Sequence, residues 1–185
     1  MKKEFYARVR WTLSVGFLKG FSLIELLMSL ALLSVVLAVA FPSFSSLLTR
    51  LQLDSDVSAI RAGLSFSRMA ALSKNKQVIA CRWDGINNCT GDAGLGTLVW
   101  QMGLLVYIDI DENKIWTPLV DQQLKIIPFT LSNNIIWNNG EKVIFQPNGS
   151  SPGYNGTFTL TDGNGVTAAL LVLSRTGRLR YQSPN

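Results

Sequence analysis

Histidine is absent from the 185-residue chain and cysteine occurs only twice. Without histidine there is no Ser-His or Cys-His nucleophile pair, and the serines offer no defensible lysine partner, so an enzyme is not expected. Two cysteines without histidine also fall short of a four-ligand zinc site. The sequence implies no metal, no cofactor and no small-molecule substrate. Charge is sparse as well, at 16% of residues, and is missing altogether between Leu26 and Phe41. Internal repeats and low-complexity tracts are lacking, and the length suffices for one modest domain plus a helix. The net charge of +5 is no argument for a nucleic-acid partner. Residues 1–20 carry Lys2, Lys3, Arg8, Arg10 and Lys19 against Glu4, a net of +4, which leaves about +1 for residues 21–185.

What the N-terminal region does have is an apolar run preceded by a single acid. Lys19-Gly20-Phe21-Ser22-Leu23-Ile24-Glu25 leads into sixteen uncharged residues and then Pro42. A carboxylate in hydrocarbon costs about 2.5–3.5 kcal/mol even on lenient insertion scales, so it calls for a partner. Cleavage after Gly20 would create one, because the new α-amine of Phe21 would lie one helical turn from Glu25 on the same or a neighbouring chain. The basic residues ahead of the run orient it, keeping the leader cytoplasmic and the rest periplasmic. Ala38-Val39-Ala40 offers the competing reading of an ordinary signal peptide.

These residues resemble a type IV prepilin N-terminus. The resemblance implies a leader over residues 1–20 removed by a prepilin peptidase, N-methylation of Phe21, and Glu25 pairing with a neighbouring subunit during filament assembly. It also implies residence in the bacterial inner membrane by a single pass, with a periplasmic C-terminal domain, followed by entry into a pilus or pseudopilus. Pro42 matches the proline at which pilin helices loosen.

Beyond Pro42, Leu53, Val57, Ile60, Leu64 and Ala71 recur at helical spacing and form one stripe of an amphipathic helix. A single helix from about Phe21 to Asn75 is expected, roughly 80 Å long at 1.5 Å per residue. Residues 21–50 form its membrane-spanning or filament-core half, and residues 51–185 the globular domain including its amphipathic half. From Gln77 the periodicity turns to strands. Gln77 to Trp83, Leu98 to Asp109, Leu124 to Thr130, Lys142 to Gln146, Thr157 to Thr161 and Thr167 to Ser174 are strand-like. Turns are expected at Asp84-Gly85, Asn139-Gly140, Asn148-Gly149, Asn155-Gly156 and Asp162-Gly163. The fold class is α+β, a long helix packed on a β-rich antiparallel domain.

Cys81 and Cys89 flank a short polar loop, and in the periplasm such a pair is most simply a disulfide. Asp109-Ile110-Asp111-Glu112-Asn113 resembles the opening of a calcium loop. Its sixth position is Lys114 instead of glycine and its twelfth is Val120 instead of glutamate, so a solvated hairpin tip is the expectation.

The apolar strand Leu170 to Ser174 runs into Arg175-Thr176-Gly177-Arg178-Leu179-Arg180-Tyr181, three arginines with no acid after Asp162. Extended backbone puts Arg178 and Arg180 on one face, and Gly177 permits a bend. Arginine forks suit phosphate, and Tyr181 could stack on a base. The alternative is solvated arginines at a frayed terminus.

The chain beyond its N-terminus is similar to the FimT and GspH minor pilins and pseudopilins. The resemblance rests on the cysteine loop, Trp100-Gln101-Met102-Gly103, Phe145-Gln146-Pro147-Asn148-Gly149, and Gly177-Arg178-Leu179-Arg180. The FimT branch, which the last motif favours, implies a type IV pilus subunit that takes up DNA in natural transformation. Gly177, Arg178 and Arg180 would contact it, with Arg175 a neighbour outside the motif. The GspH branch implies a structural pseudopilin of a type II secretion system that binds no nucleic acid.

Overall fold

The computed structural model describes residues 20–90, 98–130, 134–162 and 165–183, and for residues 39–43 the backbone only. The leader to Lys19, the side chain of Pro42 and Gly163 therefore lie outside the described residues. The chain divides into two units, Met1–Pro42 and Ser43–Asn185.

Helix α1 spans Leu23–Lys74, 52 residues, and its assignment continues through position 42. The carbonyl of Ser22 accepts the amides of Glu25 and Leu26, which starts the helix. Asn75, in the left-handed region at φ 51°, ends it. In the second unit the expected stripe is the buried face: Val57, Ile60, Leu64 and Ala71 are buried, and Leu53 packs beside them.

Eight strands follow in two antiparallel sheets. The first has the order β3 (Gln122–Pro128), β2 (Gly103–Ile108), β1 (Val78–Arg82), β5 (Lys142–Phe145). The second runs β4 (Asn134–Trp137), β6 (Gly156–Thr161), β7 (Thr167–Leu173), β8 (Leu179–Gln182). One face of the first sheet joins the helical stripe and the second sheet in a core that includes Trp100, Trp137 and Phe158 in mutual ring contact. Its other face is covered too, with Ile79, Cys81, Leu105, Tyr107 and Ile144 lying under Trp83, Cys89 and Trp116. Burial on both faces is why β1 and β2 read as unbroken apolar runs.

Three expectations change. The stretch Leu98 to Asp109 is not one strand: Val99 bridges Ile136 of β4, and only from Gly103 does the chain enter the first sheet. The switch occurs at Gly103, whose φ of 142° and 2.3 Å clearance between an added Cβ and the Ile127 carbonyl oxygen admit only glycine. Asn155-Gly156 is not a turn, because Gly156 opens β6 with the Trp137 ring and Asn138 against it. The third concerns the C-terminus. The chain does not fray after β7 but reverses in a tight turn, where Gly177 N–H donates to the Ser174 carbonyl and Ser174 N–H to the Arg178 carbonyl. It then returns as β8, in register with β7 from Leu173↔Leu179 to Leu170↔Gln182.

Cys81 and Cys89 form the expected disulfide, with Cα atoms 5.4 Å apart. Inside the loop, burial works against ionisation of Asp84, but hydrogen bonds from Asn88, Ile86 and Asn87 outweigh it and hold its carboxyl below the ordinary value.

Candidate functional site

The β7–β8 turn stands against helix α1, and between them lies a groove of about 480 Å³. Arg61 and Arg68 line it from the helix, and Arg178 and Arg180 from the turn and β8. Arg61 and Arg68 are seven residues apart, two helical turns, and so share a face. Leu64, Leu173 and Leu179 form the apolar floor, and no carboxylate lines the groove. Among the described residues, Arg61, Arg178 and Arg180 make no ion pair. Four guanidinium groups on one surface, with no acid among the groove's lining residues, make a local positive field.

The local sequence fixes this arrangement through two glycines. Gly177 has φ 75°, and an added Cβ would stand 2.1 Å from the carbonyl oxygen of Gly149 and 3.3 Å from Nε of Arg68. That same carbonyl oxygen accepts a hydrogen bond from Arg68 Nε at 3.0 Å. Gly149, at φ 74°, sits in the turn after β5, where its N–H donates to the Gln146 carbonyl. Ser151 N–H then donates to the Arg175 carbonyl at 2.9 Å. The Phe145-to-Gly149 and Gly177-to-Arg180 segments, far apart in sequence, thus meet at one carbonyl, which both orients Arg68 and backs the turn that presents Arg178.

The predicted arginine pair is therefore brought together, and Arg178 and Arg180 are both exposed. Arg175 is exposed and Tyr181 is 53% exposed, but neither lines the groove. Sequence reasoning missed Arg61 and Arg68. Their signal was present, since each borders the stripe Ile60, Leu64, Ala71, but only the packing of β8 beside the helix makes them partners.

At the other end of the chain, Glu25 lies in the first turn of α1, where the helix dipole favours an anion. Phe21 is 80% exposed, and large apolar side chains from Leu23 to Leu37 are uncovered. Among the described residues no helix is long and apolar enough to cross a membrane. The side chains of residues 39–43, which complete the uncharged stretch, are not among them.

A second electrostatic feature is the loop between β2 and β3. Its tip, residues 110–115, is solvated as expected, but the aspartates at its two ends are not: Asp109 is 3% and Asp121 8% exposed. Burial raises the Asp109 carboxyl above its ordinary range, and the neighbouring Asp111 and Asp121 carboxylates add to the shift. Tyr107 is pushed up likewise, first by burial and then by Asp109, Asp121 and Asp111.

The sequence profile of the family described as Type II transport protein GspH matches residues 56–177. That of the prokaryotic N-terminal methylation motif matches residues 19–41. No curated protein matches the chain. Among solved structures, the type IV minor pilin FimU of Pseudomonas aeruginosa strain PAO1 is 20% identical, with a TM-score of 0.52 over 74% of this chain and 95% of that one. A second crystal form of FimU is 19% identical, with a TM-score of 0.48, over 72% and 97% of the two chains. At such identity the likeness speaks for the fold, an α+β pilin with a long N-terminal helix, and the family match covers about two thirds of the sequence. The chain belongs to the GspH family and has the fold of a type IV minor pilin.

Proposed function

We propose that this protein is a minor pilin of a type IV pilus that captures DNA through the groove between α1 and β8. The observation that carries the reading is the convergence of Arg61, Arg68, Arg178 and Arg180 on one surface without an acid. Arginine presents fixed donors that match phosphate oxygens and is always charged. Phosphate contacts carry no sequence information, so binding is indifferent to sequence and sensitive to salt. Two to four contacts to duplex DNA give a slope of log affinity against log salt of about −2 to −4.

Delivery to the filament uses the other end. A prepilin peptidase cuts after Gly20 and Phe21 becomes the methylated N-terminus. The uncovered apolar stretch from Phe21 onward, too large to remain in water, is held first in the inner membrane and then among other pilins. Glu25 pairs with an α-amine there. The subunit is not an enzyme and needs no cofactor. The family profile also supports a second reading, a structural pseudopilin of a type II secretion system that shares the assembly steps and binds no nucleic acid.

The test is binding of the full chain, in detergent micelles, to labelled DNA of arbitrary sequence at low salt. Wild type retards the DNA, Arg178→Ala/Arg180→Ala abolishes the retardation, and Arg61→Ala weakens it. Equal retardation by the double variant takes DNA binding away from the groove, and no retardation by wild type sinks the DNA reading and leaves the secretion one. Mass spectrometry of the mature protein shows methylated Phe21, whereas a chain beginning at Phe41 would overturn the pilin assembly route.

A further inference from the structure

The β2–β3 loop, residues 109–121, holds a second concentration of like charge that the groove does not use. One carboxylate oxygen from each of Asp109, Asp111 and Asp121 lies within 4.8 Å of the others. Two oxygens bound to one Ca²⁺ at about 2.4 Å are at most about 4.8 Å apart, so the cluster has the dimensions of a calcium ligand set. Asp109 is 3% exposed, and its Oδ1 is buried without a hydrogen-bond partner. Among the described residues none of the three aspartates pairs with a lysine or arginine. A buried carboxylate oxygen without a partner is costly, and carboxylates clustered without a cation repel one another. A hard divalent ion relieves both.

The objections raised by the sequence lose their force in the geometry. Lys114, at the sixth position, adopts φ 61°, the left-handed conformation for which glycine serves in such loops. Its N–H donates to Asp109 Oδ2 at 2.8 Å, which folds the loop back over its first ligand. Asp111 accepts from the Asn113 side chain at 2.7 Å, and Asn113 Oδ1 accepts from Ile115 N–H at 2.6 Å. The closing acid is one residue late, at Asp121 instead of position 120. Its Oδ1 accepts from Ile110 N–H at 3.0 Å and its Oδ2 from Thr117 N–H at 2.7 Å, which leaves a further lone pair on each oxygen.

We infer that the β2–β3 loop binds Ca²⁺ through the carboxylates of Asp109, Asp111 and Asp121. The remaining coordination positions fall to main-chain carbonyls and water. Three carboxylates on a surface loop suit the weaker class of extracellular sites, with Kd about 10⁻⁴–10⁻³ M. The ion would then tie the start of the loop to its end and stabilise the folded chain by mass action.

The experiment follows the melting temperature of the full chain in micelles after EDTA treatment, with Ca²⁺ added to millimolar levels. Terbium luminescence sensitised by Trp116, which lies within the loop, gives a direct binding signal. Wild type melts several degrees higher with Ca²⁺ and sensitises Tb³⁺. Asp111→Asn, at an exposed position, keeps the EDTA-state melting temperature and binds at least tenfold more weakly; Asp109→Asn loses the response altogether. If Ca²⁺ leaves the wild-type melting temperature unchanged, or if Asp111→Asn responds as wild type does, the three aspartates only staple the loop and the inference falls.

Discussion

Replacing Gly177 by alanine separates the architecture of the groove from its chemistry. The substitution adds no charge and removes no donor, yet the new Cβ would stand 2.1 Å from the Gly149 carbonyl oxygen. An L-residue held at φ 75° already costs about 1–2 kcal/mol. Clearing the contact moves either the turn or the carbonyl, and where the carbonyl moves the 3.0 Å hydrogen bond from Arg68 Nε is lengthened or lost. A hydrogen bond to a charged group contributes about 1.5–3 kcal/mol, so a total loss of about 2.5–5 kcal/mol is expected. For a chain of this size that lowers the melting temperature by roughly 5–20 °C. Gly153→Ala is the control. Gly153 has φ 80° but open space around its Cβ position, so it should lose only the backbone part, about 1–2 kcal/mol. Denaturant unfolding of both variants decides the matter. If Gly177→Ala is no worse than Gly153→Ala, the contact with Gly149 has no energetic weight, and Gly177 would owe its place to the ligand.

Opening the disulfide by Cys81→Ser with Cys89→Ser should destabilise the chain by about 2.5 kcal/mol, the loop-closure value for eight residues, measured as a lower denaturation midpoint at an unchanged slope. No change in midpoint would mean that Trp83 and the loop's own hydrogen bonds suffice. Glu25→Ala should exclude the subunit from filaments recovered from cells while leaving the thermal unfolding of the second unit as it was; normal incorporation would remove Glu25 from assembly.

The parts that were legible in the sequence are those whose signal is local. The stripe Val57, Ile60, Leu64, Ala71 repeats at the helical period and needs no partner to be seen. Strands β1, β2, β5 and β7 are apolar enough to declare themselves, and β6 does so by the strict alternation of Thr157 to Thr161. Strand β4 was not expected. It is four residues, Asn-Ile-Ile-Trp, and β6 together with the bridge from Val99 makes it a strand. Strand β8 reads as polar, because Arg180, Tyr181 and Gln182 are exposed and only pairing to β7 orders them. Lys114 gives no hint that it will take a glycine-like conformation, so the aspartate loop could not be judged from residue types. The groove was half visible for the same reason: Arg178 and Arg180 are neighbours in sequence, whereas Arg61 and Arg68 reach them only after folding.

The position of β8 at the rim of the second sheet has a consequence for solubility. Among the described residues it is an outermost strand with one side unpaired by any other strand, the arrangement that invites another chain to add on and propagate a sheet. It is short, and exposed Arg178 and Arg180 would repel the like-charged rim of an approaching copy. Removing both arginines therefore takes away a guard against self-association, and the double-alanine chain is expected to be stickier as well as blind to DNA. Its sedimentation should be measured before its silence in a binding experiment is read as lost recognition.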